Sequence, residues 1–370
     1  MNRFSHHVLA LVCVSFLLAG AAPGLAEGAR GTALGSHLLE GPEVSIYNIA
    51  GEMRVLEGTG PSVRVEVLPG GRDGGRLTVE ETPVKGLPTL RVIYPDSRIV
   101  YRDYGFGPPN GITSDSYLGY GGSRIHVSGR GPGLEAHADI KVFVPHGKRV
   151  HLHLAVGRAW ISDVQGEVSF ESASSSLDVE RLSGALAVQV GSGSIRVSWT
   201  KGSIAAETGS GDILIREVDG NVSVEAGSGN IELRRVGADR IAVDAGSGAI
   251  VGSEIQVLDM SADCGSGEVD LDGASAGRLS IDAGSGSVRL RLTKNIDALA
   301  VDAGSGSVRL EAPSDLSARF KIECPKRHLH IDFPVEMERG DDDVAVGRIG
   351  GGRGRIDIDA GSGRVELVRR

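Results

Sequence analysis

Six acidic residues, Glu207, Glu225, Asp244, Asp263, Asp282 and Asp302, share one position: each stands two residues before a Gly-Ser-Gly triplet. Glu323 continues the series without its triplet. Carboxylates recurring at a fixed interval can do two kinds of chemistry. They can offer a row of oxygen ligands to hard cations, here weak Ca²⁺ sites. They can also act locally, accepting hydrogen bonds from the N–H groups of the turn that follows. Stacked about 5 Å apart, each like-charged pair repels by about 1 kcal/mol even in water, so something must offset them. The nine-residue Ca²⁺ repeat of β-rolls places its Asp after the glycines. Here the acid precedes them and the period is doubled, so the local reading is the simpler one.

The elements that position these acids follow from the repeat. Triplets begin at Gly191, Gly209, Gly227, Gly246, Gly265, Gly284 and Gly304, in steps of 18 to 20 residues. Ala173-Ser174-Ser175 and Ala155-Val156-Gly157 are degenerate copies one and two steps upstream. Apolar residues alternate on either side: Val188 and Val190, then Ile195, Val197 and Trp199; Ile213 and Ile215; Ile231 and Leu233; Val269 and Leu271. Period two means strands with one buried face. The glycines read as turn residues that reach positive φ without steric cost. A meander or propeller would make each triplet a hairpin loop. Recurrence of the same residue type at the same place in consecutive copies favours in-register stacking instead. The expectation is an all-β chain, a right-handed parallel β-solenoid of two-strand coils, about 45 Å long at one coil per strand spacing.

Around this body the chain divides into residues 1–26, 27–93, 94–133, 134–326 and 327–370. The first is a leader: Arg3, an apolar run from Val8 to Ala22, and small residues ending at Ala26 form the pattern of a cleaved secretory signal peptide. Residues 27–93 alternate as N-terminal coils or cap. Residues 94–133 hold Tyr94, Tyr101, Tyr104, Tyr117 and Tyr120 among Gly, Pro and Ser. That segment reads as an irregular insertion, either a binding lip of amphipathic rings or a loosely packed loop. Residues 134–326 are the repeats. Residues 327–370 break the period at Pro334 and Asp341-Asp342-Asp343, then end in strand–Gly361-Ser362-Gly363–strand, as the cap a solenoid needs to hide its open edge.

Three further groups are weighed against plain structural roles. The turn serines Ser192, Ser210, Ser228, Ser247, Ser266, Ser285 and Ser305 form a hydroxyl row that could meet a regular glycan or simply be solvated turn residues. Cys264 and Cys324 occupy the alanine position before the turn. Three coils apart they lie about 14 Å from each other, beyond the roughly 7 Å a disulfide allows, so both should be unpaired buried thiols. His151-Leu152-His153 and His328-Leu329-His330 place imidazoles on one strand face and read as exposed strand residues. No nucleophile elbow, zinc-protease helix or phosphate loop is present.

With 39 basic against 48 acidic residues, the chain is a poor candidate for nucleic acid or an anionic lipid surface. Aromatic residues make up 4% and glycines number 55 of 370, so the core must be built of small aliphatic side chains in thin layers. After the leader no apolar run is long enough to span a membrane. The mature chain should be exported, to the periplasm or the cell surface.

Asn48-Ile49-Ala50-Gly51, Ala138-Asp139-Ile140-Lys141-Val142-Phe143-Val144-Pro145 and the terminal strand–Gly-Ser-Gly–strand together resemble the bacterial DUF4097 family. The resemblance implies an envelope-exposed β-solenoid that carries an adhesin label by analogy, with no catalytic residues to transfer. Three functions fit: a non-catalytic module that binds envelope or extracellular polymers or proteins, a polysaccharide-active β-helix enzyme, and a passive scaffold. Binding residues, if there are any, are the acidic series and Tyr101, Tyr104, Tyr117 and Tyr120.

Overall fold

The computed structural model describes residues 34–102 and 125–370, all within the compact unit Gly31–Arg370. Its described residues are strands, turns and two short 3₁₀ turns. Nearly all strands join one continuous sheet whose neighbours are parallel and in register. The inner ladder shows why. Leu177, Ile195, Ile213, Ile231, Ile250, Val269, Val288, Val308 and Val365 pair in that order, one per coil. All are buried. Each burial contributes roughly 1.5–3 kcal/mol, and a slip of one residue would turn the whole set outward. The expected all-β, solenoid-like stack of coils is therefore present.

The turn glycines serve a different purpose from the one their sequence suggests. Gly209, Gly227, Gly246 and Gly265 do not have positive φ. A Cβ on Gly209, Gly227 or Gly246 would instead lie 2.6 Å from the carbonyl oxygen of the first triplet glycine in the coil below. At the second glycine the approach is closer still: a Cβ on Gly248 would land on the Gly229 oxygen. What excludes side chains is the parallel stacking of one turn directly on another. Positive φ is confined to Gly193, Gly211, Gly284, Gly304 and Gly361 among the triplets.

The left-handed conformation occurs instead at a second corner, and on residues with side chains. Asp163, Arg181, Trp199, Glu217, Arg235 and Glu254 have φ of 51–61° and recur once per coil, with Gly273 next in line. Each such residue points outward and passes the inward position to the next. Trp199, which alternation assigns to the core beside Ile195 and Val197, is thus 54% exposed, and Thr200 is buried in its place.

Both ends depart from sequence order. The strand Glu43–Glu57 pairs directly with Lys148–Ser162, and the intervening strands cover it: Thr89–Ile93 lies on its first half and His137–Val144 on its second. Within the segment expected to be an irregular insertion, Arg98–Val100 pairs in parallel with His126–Ser128. At the far end, Gly354–Asp359 lies between Ala298–Asp302 and Ala318–Glu323. The last coil in sequence is thus not the last in space. This lengthens the expected cysteine separation. Cys264 and Cys324 share one column with Ala283, Ala303 and Ala360 between them, four steps or about 19 Å apart. Both thiols are free and buried.

If close stacking sets the turns, Gly248→Ala should cost about 1–3 kcal/mol through overpacking. Ser247→Ala, on an exposed residue, should stay within about 0.5 kcal/mol of the parent. Chemical denaturation of both variants checks the contrast; equal effects would contradict the steric account.

Candidate functional site

The acidic residues point outward because their neighbours point inward: Val243 and Ala245 flank Asp244 and are both buried. In-register pairing then aligns the series. Glu207 pairs with Glu225, Glu225 with Asp244, Asp244 with Asp263, Asp263 with Asp282, and Asp282 with Asp302. Asp302 pairs next with Asp359, and Asp359 with Glu323. Glu323 does continue the row, but one place later than its sequence position suggests. Asp359 was missed by sequence reasoning, although it too stands two residues before a Gly-Ser-Gly.

The ends of the row are closed by side chains no sequence rule would bring together. Toward the N-terminal side the row runs through Gln189 to Glu171 and then to His153 and Tyr47. His153 Nδ1 lies 3.1 Å from a Glu171 oxygen, and its ring stacks on Tyr47 with centroids 4.0 Å apart. That hydrogen bond holds the Glu171 carboxyl below its ordinary range. Beside this pair, His151 bridges Glu43 at 2.6 Å and Ser169 at 2.6 Å, and Glu43 is likewise shifted down by His151. The two histidines thus tie three coils together rather than standing free in solvent. At the other end Lys321 pairs with Glu323.

Between those ends the row lacks cationic partners. Among the described residues, Glu225, Asp244, Asp282 and Asp302 make no ion pair. Three of the acids act locally: Gly284, Gly304 and Gly361 donate their N–H groups to Asp282, Asp302 and Asp359 at 3.1, 2.9 and 3.0 Å. These are the coils whose first glycine has φ of 47–51°. Asp244 has no such donor, and its carboxyl is pushed up first by burial and then by Glu225. Among the described residues no group of three or more His, Cys, Asp and Glu is arranged to hold a metal ion.

The opposite sheet face is compensated. Arg196 meets Asp178 at 3.4 Å, Arg289 meets Asp270 at 2.6 Å, and Arg309 meets Glu366 at 2.6 Å, each across one coil step. The uncompensated charge therefore gathers on one face. The serine row stands at the edge between the faces. Ser192 bonds Ser174 at 3.1 Å, and the later serines are exposed.

The tyrosines divide. Tyr94 is buried and its hydroxyl donates to Asn48 at 2.9 Å, an anchor for the N-terminal coil. Tyr101 is 5% exposed and packs against the His137 ring at 5.1 Å, so it supports the cap rather than forming a lip. Tyr104, Tyr117 and Tyr120 lie outside the described residues.

A family model described as Toastrack DUF4097 matches residues 200–368. Over these residues the chain belongs to the Toastrack DUF4097 family. The Toastrack segment holds most of the acidic row and the intercalated C-terminal coil; the His153–Tyr47 closure lies outside it. No curated protein matches the chain. A solved structure described as a "putative cell adhesion protein" from Clostridium sporogenes covers 90% of this chain and 98% of its own, with 9% identity and a TM-score of 0.20. A likeness that distant carries no argument.

Repulsion along the row has a measurable sign. Asp244→Asn should stabilise the protein at low salt by up to about 1 kcal/mol, and the gain should shrink as salt is added. The pH dependence runs two ways. The raised Asp244 carboxyl favours the fold at pH below its unfolded value near 3.8, and that contribution is lost as pH rises through the folded value. The lowered Glu171 carboxyl contributes above its unfolded value near 4.5 and is lost as pH falls through the folded one. Denaturation of the parent, Asp244→Asn and Glu171→Gln between pH 3 and 7 separates the two.

Proposed function

We propose that the protein is an exported, adhesin-like module of the cell envelope that binds polymers or partner proteins through its solenoid face and performs no catalysis. One observation carries this reading: a sheet face on which the same acidic residue returns at every coil, uncompensated along its middle and closed at both ends. An active site concentrates different groups at one point, whereas this surface repeats one group at even spacing. Evenly spaced groups suit a partner that is itself repetitive. Its charge favours cationic partners, or anionic ones bridged by weakly held Ca²⁺, and disfavours nucleic acid. The leader-like residues 1–26 support export to the periplasm or cell surface. Right-handed coiling follows from the general preference for parallel crossovers.

Co-sedimentation with isolated envelopes and insoluble polysaccharides, with and without a chelator, tests the proposal. Binding is expected, and its loss with chelator would assign it to cation bridges on the acidic row. Absence of binding to any of these materials would overturn it in favour of a passive scaffold. Release of reducing ends from a polysaccharide would instead establish the enzyme reading.

A further inference from the structure

On the compensated face one place is not compensated. The outward residues there form two adjacent columns, and the arginines Arg54, Arg196, Arg234, Arg289, Arg291 and Arg309 each have a carboxylate partner. Arg216 has none. Half-buried, it stands between Ser198 on one side and Arg234 on the other, and its Nε is buried without a hydrogen-bond partner. The adjacent acid, Glu217, turns away at the left-handed corner to pair with Arg235 at 2.6 Å. A desolvated guanidinium edge without an acceptor is unfavourable for folding, and a like charge on the next coil makes it more so.

Trp199 is the second anomaly, and it lies beside the first. Its corner column is otherwise polar or glycine: Asp163 pairs with Arg181 at 2.5 Å and Glu217 pairs with Arg235. Trp199 interrupts this ladder between the two pairs. It is bulky, exposed and held at φ 54°, a conformation that costs a side-chain-bearing residue relative to glycine. Trp199 directly follows Ser198, the residue in register with Arg216. At the corner both 198 and 199 face outward before Thr200 turns in. The indole, the Ser198 hydroxyl and the unpaired guanidinium therefore meet on one small area of the surface.

We infer that Trp199, Ser198 and Arg216 form a subsite for an acidic saccharide. The indole face offers a stacking platform for the apolar side of a pyranose ring. The guanidinium supplies the planar charged donor that a carboxylate or sulfate accepts, bidentate where the geometry allows. Ser198 supplies a neutral hydrogen bond between them. The site binds without reacting. It deepens the polymer-binding reading above and rests on it, but it lies on the other face from the acidic row and needs no cation.

Tryptophan fluorescence of the full chain, titrated with polygalacturonate and with neutral dextran, tests the site. Polygalacturonate should shift or quench the emission, dextran should not, and salt should weaken the response. Arg216→Gln should lower the affinity at least tenfold. Trp199→Gly, which suits the corner backbone and so keeps the fold, should abolish binding, as read by co-sedimentation of the same polymer. Thermal melts of both variants verify folding. If folded variants bind polygalacturonate as the parent does, or if the parent binds neither polygalacturonate nor dextran sulfate, the subsite is refuted. Envelope binding unaffected by either variant would refute the subsite and leave the broader polymer-binding proposal standing.

Discussion

Everything in this molecule depends on the hydrogen-bonded stacking of one coil upon the next, in parallel and in register. At a strand spacing near 4.8 Å, register dictates that identical positions become neighbours. An apolar position becomes a continuous inner column from Leu177 to Val365. A turn position becomes a column with no room for Cβ, and glycine is the residue that fits. An outward position becomes a row of like groups, which is favourable where signs alternate and unfavourable where they do not. The same constraint that builds the core creates the electrostatic problem on the acidic face.

The two faces handle that problem differently. On one, arginines and carboxylates alternate closely enough along the ladder for each to find a partner a coil away. On the other the acids repeat, and relief comes locally from turn N–H groups at Asp282, Asp302 and Asp359 and from exposure to water. Where a carboxyl is partly buried without a donor, as at Asp244, its proton affinity rises. A chain selected only for stability would alternate charge on both faces. Retaining a uniform acidic row costs stability, and a row of that kind is reasonably explained by what it meets.

Much of the fold was legible in the sequence because its determinants are local and periodic. Alternation gave the strands, the triplets gave the turns, and their steps of 18 to 20 residues gave the stacking. Three things were not legible. Trp199 looked like a core residue because alternation cannot register a left-handed corner that inserts an extra outward position. The insertion of Gly354–Asp359 between Ala298–Asp302 and Ala318–Glu323 is a choice of topology, and two slots with the same repeat sequence are equivalent to any local rule. The His153–Tyr47 stack joins residues more than a hundred positions apart through the N-terminal coil, whose pairing with Lys148–Ser162 no periodicity foretells. Of the candidate site residues, the acidic row emerged as read, with Asp359 added, whereas Tyr101 proved to be buried support.

The in-register stack with its intercalated final coil can be tested by one distance. With Cys264 and Cys324 replaced by alanine, as in neighbouring coils of their column, spin labels are placed at Ser228 and Ser362. These positions lie in the exposed turns, and the ladder puts five coil steps between them. Pulsed dipolar spectroscopy should give a narrow distribution centred near 24 Å, five strand spacings. A centre displaced by two or more strand spacings, or a broad distribution in a folded protein, would contradict both the stacking and the place of the last coil within it.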